Sequence, residues 1–182
     1  MVTLTLSVAG CLRTFSQERE PLNNDEINEL REAALEPVKR LRFYLNFTGS
    51  RLLEIDDLQG KSKVENRGQK IHDLLQDFTT LIDEMDDNID EYARRGEDMR
   101  KVLPEVVKAE TDYTTKLRTL QQTAINDPKA AAEARLYSFA LQDALDAVRD
   151  SLDNSQKTQA QQTEQFEELK EQKKLEKKKK KY

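Results

Sequence analysis

From Ile71 to Ala124 a stripe of apolar residues, with one glutamate in it, falls at alternating steps of four and three: Ile71, Leu75, Phe78, Ile82, Met85, Ile89 and Tyr92, then Met99, Leu103, Val106, Glu110, Tyr113, Leu117, Leu120 and Ala124. A step averaging about 3.5 keeps side chains on one side of an α-helix, which turns once in 3.6 residues, whereas a strand would alternate every second residue. A chain patterned in this way must bury a helical stripe, and the partners able to cover it are other helices. The same rhythm runs through Ala34, Val38, Leu41, Leu45, Thr48, Leu52 and Ile55. It returns in Tyr137, Leu141, Ala144 with Leu145, Val148 and Leu152.

Punctuation divides the pattern into segments. Asn24, followed by Asp25 and Glu26, is expected to cap a first helix, because carboxylates are favourable near the positive end of the helix dipole. Pro37 disfavours helical backbone at Glu36 and predicts a break there, and Gly60 ends the segment. Ser62 and Glu65 stand at capping-box spacing and open a second segment. Arg94-Arg95-Gly96 could close it, but the phase of the apolar residues continues through Gly96. That continuity favours one long helix kinked at Pro104 over a turn at Gly96. Asn126-Asp127-Pro128 is the clearest boundary, with Asp127 as cap and Pro128 in the first helical position. The last helix has a polar seam at Ser155, Gln159 and Gln162. Unmatched polar groups resist burial, so it is expected to project from the body or fray there.

Composition supports helices over sheets. Only five glycines and four prolines occur in 182 residues, and 36% of residues are charged. The expected fold is all-α, an elongated antiparallel helical bundle of three to four long helices with coiled-coil-like seams. The expected organisation is residues 24–169 as the bundle, preceded by a linker over 12–23 and followed by a disordered lysine-rich tail over 170–182. That tail holds eight lysines and two glutamates, a net of +6, which leaves −11 for the rest of a chain whose total is −5. An acidic body argues against nucleic acid as a partner of the folded part. Lys173, Lys174, Lys177, Lys178, Lys179, Lys180 and Lys181 are the candidate contacts to an anionic surface.

Signs of chemistry are sparse. His72 is the only histidine, and a catalytic or metal role would pair it with Asp73 or Asp77. Helical di-iron sites use paired Glu-x-x-His motifs, but Gln69 occupies the glutamate position and there is no second histidine. An ordinary surface imidazole is the favoured reading. The acidic run from Asp83 to Glu91 lacks the glycine of a calcium loop and keeps helical phase throughout. It reads as a solvated face on which Asp83, Asp87 and Asp90 align, with Asp90–Arg94 and Glu91–Arg95 pairs offsetting part of the repulsion. Asn46-Phe47-Thr48 matches a glycosylation acceptor but overlaps the apolar stripe. No glycine-rich phosphate loop, paired zinc motif or GxSxG turn occurs, so no cofactor and no enzymatic activity are expected.

The single cysteine, Cys11, follows Val8-Ala9-Gly10. These four residues resemble a bacterial lipobox: an aliphatic residue, two small residues, and the cysteine that is cleaved before and lipidated. The resemblance covers Val8 to Cys11 only. It implies that residues 1–11 are the truncated end of a lipoprotein signal whose positive start lies upstream of Met1, and that Cys11 carries acyl chains. Each buried CH₂ of those chains would add about 0.8 kcal/mol of membrane affinity. The protein would then face the periplasm from a bacterial envelope membrane, in a structural or protein-interaction role. The competing reading is an intracellular coiled-coil adaptor, cytoplasmic, with Cys11 unprocessed, a basic tail on an anionic partner, and self-association in solution.

Overall fold

A computed structural model describes residues 19–61, 63–126 and 128–179, and among these every regular element is helical. The elements are α1 (Asn24–Glu32), α2 (Pro37–Gly60), α3 (Arg67–Arg94), α4 (Leu103–Asn126), α5 (Pro128–Ala134) and α6 (Ser138–Lys179). All six pack against one another around one apolar core. Cys11, Ser62, Asp127, Lys180 and Lys181 lie outside the described residues.

Packing follows the 3–4 stripes. α2 lies against α3 and α4, and α6 lies against the same two helices. Side-chain pairs give the directions. Arg51–Asp77 and Tyr44–Glu84 run in opposite order along α2 and α3, so this pair is antiparallel. By contrast, Asp86–Ser151 and Asp90–Asn154 advance together, so α3 and α6 are parallel, as are α2 and α4 through Arg42–Glu105 and Lys116–Asp56. The expectation of a simple antiparallel arrangement is corrected at these two pairs. Across the core Phe78 of α3 meets Tyr113 of α4 edge-to-face, with centroids 5.7 Å apart.

The helix ends correct several sequence expectations. α1 is capped by Asn23, one residue earlier than expected: its Oδ1 accepts from the N–H groups of Asp25 and Glu26, and its own N–H donates to Glu26 Oε2 at 2.9 Å. Pro37 opens α2 after the predicted break, and Gly60 closes it as expected. α3 begins at Arg67 rather than in a box begun at Ser62, and Asn66 before it is left-handed (φ 53°) without a side-chain cap. Arg67 consolidates this corner instead. Its guanidinium donates to the Lys61 carbonyl at the end of α2 and forks onto Glu133 of α5.

Gly96 is a turn, so the chain does not continue as one kinked helix. Its φ is +73°, its N–H donates to Ala93 O, and the Glu97 N–H donates to Tyr92 O. Those two bonds form a Schellman stop, which needs a residue free to adopt the left-handed region. Pro104 then falls in the first turn of α4, where its missing N–H removes no intrahelical bond. The periodicity ran on because both helices present their stripes to the same neighbour, α6.

Candidate interaction surfaces

α6 carries the chemistry that the pattern alone left unresolved. Its buried positions are apolar through Val148 and then polar at Ser151, Ser155, Thr158 and Gln162. The helix does not fray or swing away at this seam, because Ser151, Ser155 and Gln162 have partners. Gln162 Oε1 accepts from the Met99 N–H at 3.0 Å, and its Nε2 donates to the Glu97 carbonyl at 2.8 Å. One amide thereby satisfies both sides of the turn between α3 and α4.

One level deeper sits Glu110, a carboxyl with no exposed surface. Its Oε1 accepts from Ser151 Oγ at 2.6 Å and lies 3.3 Å from Ser155 Oγ. Asp86 of α3 stands on the other side of Ser151, at 3.3 Å. A hydroxyl has one proton, and the shorter separation directs it to Glu110. Asp86 is served instead by Asn154 Nδ2 at 2.9 Å, which also donates to Asp90. Glu110 Oε2 has no hydrogen-bond partner. Burial pushes the Glu110 carboxyl up to about 7, against the lowering effect of the two serines and with help from the nearby Asp86 charge. Burial also raises Asp86, reinforced by Asp90 and Asp87. The arrangement is suited to holding a neutral acid at mildly acidic pH. Among the described residues no histidine or cation stands beside the carboxyl.

A second buried polar cluster ties the N-terminal segment to α2 and α3. Arg51 donates to both oxygens of Glu26, at 2.9 and 2.6 Å, and to the Pro21 carbonyl at 2.8 Å. Its Nε lies 3.9 Å from Asp77, which also pairs with Arg19. Burial alone would raise the Glu26 carboxyl. Hydrogen bonds from Arg51 and the Asn23 N–H, with the Arg51 charge, outweigh it and hold the group below its usual range. Asp77 goes the other way: its burial exceeds the help from Arg19 and Arg51, and its carboxyl is raised.

Asp77 therefore belongs to the arginine cluster and not to His72. His72 is partly exposed, with Nδ1 3.3 Å from Asp73. Among the described residues no group of three histidine, cysteine or acidic side chains is placed to hold a metal ion. The acidic run divides by face. Asp83, Asp87 and Asp90 are exposed together as expected, while Asp86 turns inward toward α6. The ion pairs expected there differ: Arg94 pairs with Glu91 and Arg95 with Glu97, because the chain leaves the helix at Gly96.

Beyond Gln162 the other helices give out and α6 continues. Phe166 is half-buried under Arg100, whose guanidinium lies 3.5 Å from the ring centroid. From Glu167 to Lys179 every residue is exposed, and the lysine-rich stretch expected to be disordered is helical as far as Lys179. Lys173, Lys174 and Lys177 line a shallow groove with Arg100, Phe166 and Leu169, while Lys178 and Lys179 lie outside it. Sequence reasoning found the lysines. It missed Glu110, Arg51 and Glu26, whose signal was a charged residue close to or on an apolar stripe.

No helix among the described residues is long and apolar enough to cross a membrane. Compared with protein-family models, characterised proteins and solved structures, the chain matches none.

Proposed function

We propose that this protein is a non-enzymatic helical lipoprotein of a bacterial cell envelope, anchored by a lipid at Cys11, facing the periplasm, with a structural or protein-interaction role. In this reading α2, α3, α4 and α6 act as one bundle, with α1 and α5 as accessory helices. The observation that carries an interaction role is the outreach of α6. Its last turns are helical, exposed and rich in lysine, and they extend past the other helices on an acidic body. A helix that continues beyond its own core presents charge at helical spacing, at less entropic cost than a free tail would incur. The membrane tether is supported by the Val8-Ala9-Gly10-Cys11 sequence.

The test is N-terminal mapping and intact mass of the protein isolated from its native cells after membrane fractionation. A mature form beginning at acylated Cys11 in the membrane fraction is the expected result. A soluble protein that retains residues 1–10 unmodified overturns the lipoprotein reading. It would favour the second reading, an intracellular adaptor whose α6 extension contacts an anionic partner, to which the same exposed lysines lend support.

A further inference from the structure

We propose that the extension of α6 is a docking surface for an acidic amphipathic helix of a partner protein. The inference deepens the interaction role given above and rests on it. The buried positions Ser151, Ser155, Thr158 and Gln162 step along α6 by four, three and four. The same steps continue to Phe166, Leu169 and Lys173, so the face that meets α3 and α4 within the body runs on past their ends, covered at Phe166 by Arg100 and exposed from Glu167 to Lys179. It is an interface interrupted by the turn at Gly96, not a new surface of different geometry.

Charge is sorted around the extension. At about 100° per residue, Lys170, Lys173 and Lys177 fall within the arc that contains Phe166; Glu168 and Glu171 fall on the far side with Lys178 and Lys179, and Glu167 sits on the flank, paired with Lys170 at 3.2 Å. Lysines three and four apart on one face repel, and an opposed row of carboxylates relieves them. Phe166 and Leu169 at the root of the lysine row offer a narrow apolar step, which a helix fills with one or two side chains at 3–4 spacing. A membrane surface fits less well. The apolar strip is narrow, Arg100 lies over the Phe166 ring, and Leu175 points away from it on the opposite side of the helix.

The experiment titrates the purified, unlipidated protein with a synthetic heptad peptide carrying leucine at the core positions and glutamate at the flanking ones. A peptide of identical composition with its leucine spacing scrambled is the control. The heptad peptide is expected to bind with a gain in helical circular dichroism, about tenfold or more tighter than the scrambled one. K173E/K177E and, separately, L169A are expected to lose that preference while keeping the helical content of the free protein. Equal binding of both peptides, or none, overturns the proposal. Binding of phosphatidylserine vesicles but not of the heptad peptide assigns the surface to lipid, and self-association abolished by K173E/K177E assigns it to a second copy. Those two results overturn it as well. Because the protein used carries no lipid, the outcome is independent of whether Cys11 is processed.

Discussion

Ser151 of α6 donates a 2.6 Å hydrogen bond to Glu110 of α4, a carboxyl that no solvent reaches. Two helices are thus joined by an ionisable group at the point where the buried face of α6 passes from apolar to polar residues. The consequence is that the strength of this seam depends on protonation.

The sign follows from the direction of the shift. Glu110 titrates at about 7 in the folded protein against 4.5 when exposed, so the folded state binds its proton more tightly. Its contribution is fully favourable below 4.5 and is lost as pH rises from there to about 7. The loss amounts to something on the order of 3 kcal/mol at 1.36 kcal/mol per unit. Asp86 and Asp77 are raised by burial too and work in the same direction. Glu110→Gln, which mimics the protonated acid, should flatten this part of the profile. Chemical denaturation at pH 5 and pH 8 checks it: the variant should be more stable than the parent at pH 8 and close to it at pH 5. A variant as pH-dependent as the parent would sink the assignment.

Gln162 satisfies two backbone groups of the α3–α4 turn at once. Gln162→Ala should cost about 1–3 kcal/mol, the penalty of leaving a buried donor unpaired. The local readout is amide exchange at Met99, whose N–H is buried and held by this side chain. Protection at Met99 should fall well before protection in the middle of α3 does.

Arg51 is the hub of the buried ion cluster, and removing it strands Glu26 and crowds Asp77 with a charge less. Arg51→Met should destabilise the fold by about 3–5 kcal/mol, the usual range for breaking a buried pair by taking one partner. Replacing Glu26 as well, in Arg51→Met with Glu26→Leu, should recover part of that loss. A double variant less stable than Arg51→Met would contradict the cluster. Thermal melts of the single and double variants decide between them.

Two glycines should respond to alanine with opposite sign. At Gly68 a Cβ would meet Leu136 Cδ1 at 2.8 Å, Glu133 Cγ at 2.9 Å and the Glu133 carbonyl at 3.2 Å. Glu133 is held in the Arg67 fork, so α5 must shift, and Gly68→Ala should cost about 1–3 kcal/mol. At Gly60 nothing lies within 4 Å and no positive φ is required. Gly60→Ala should therefore stabilise by about 0.4–1 kcal/mol by restricting the unfolded chain. Equilibrium unfolding of the two variants side by side is the measurement.

Helix content and the identity of the buried stripe were legible in the residue order. Ile71, Leu75, Phe78, Ile82, Met85 and Ile89 are all buried, because a 3–4 step is a local property that fixes which side of a helix is apolar. Pro37 and Gly60 likewise act on their own backbone and were readable as boundaries. The turn at Gly96 was not readable in the same way. A periodic stripe records only that a neighbour is covered, and α3 and α4 cover the same neighbour from opposite directions. Whether Ser155 and Gln162 would be buried was also beyond local pattern. Their partners, Glu110 and the Met99 and Glu97 backbone, lie 45 to 65 residues away. Burial of a polar group is favourable or costly according to what it meets. The amino-acid sequence by itself determined the helices and their apolar faces. Only the tertiary structure decided which polar residues could be buried with them, since a hydrogen bond needs both ends in place.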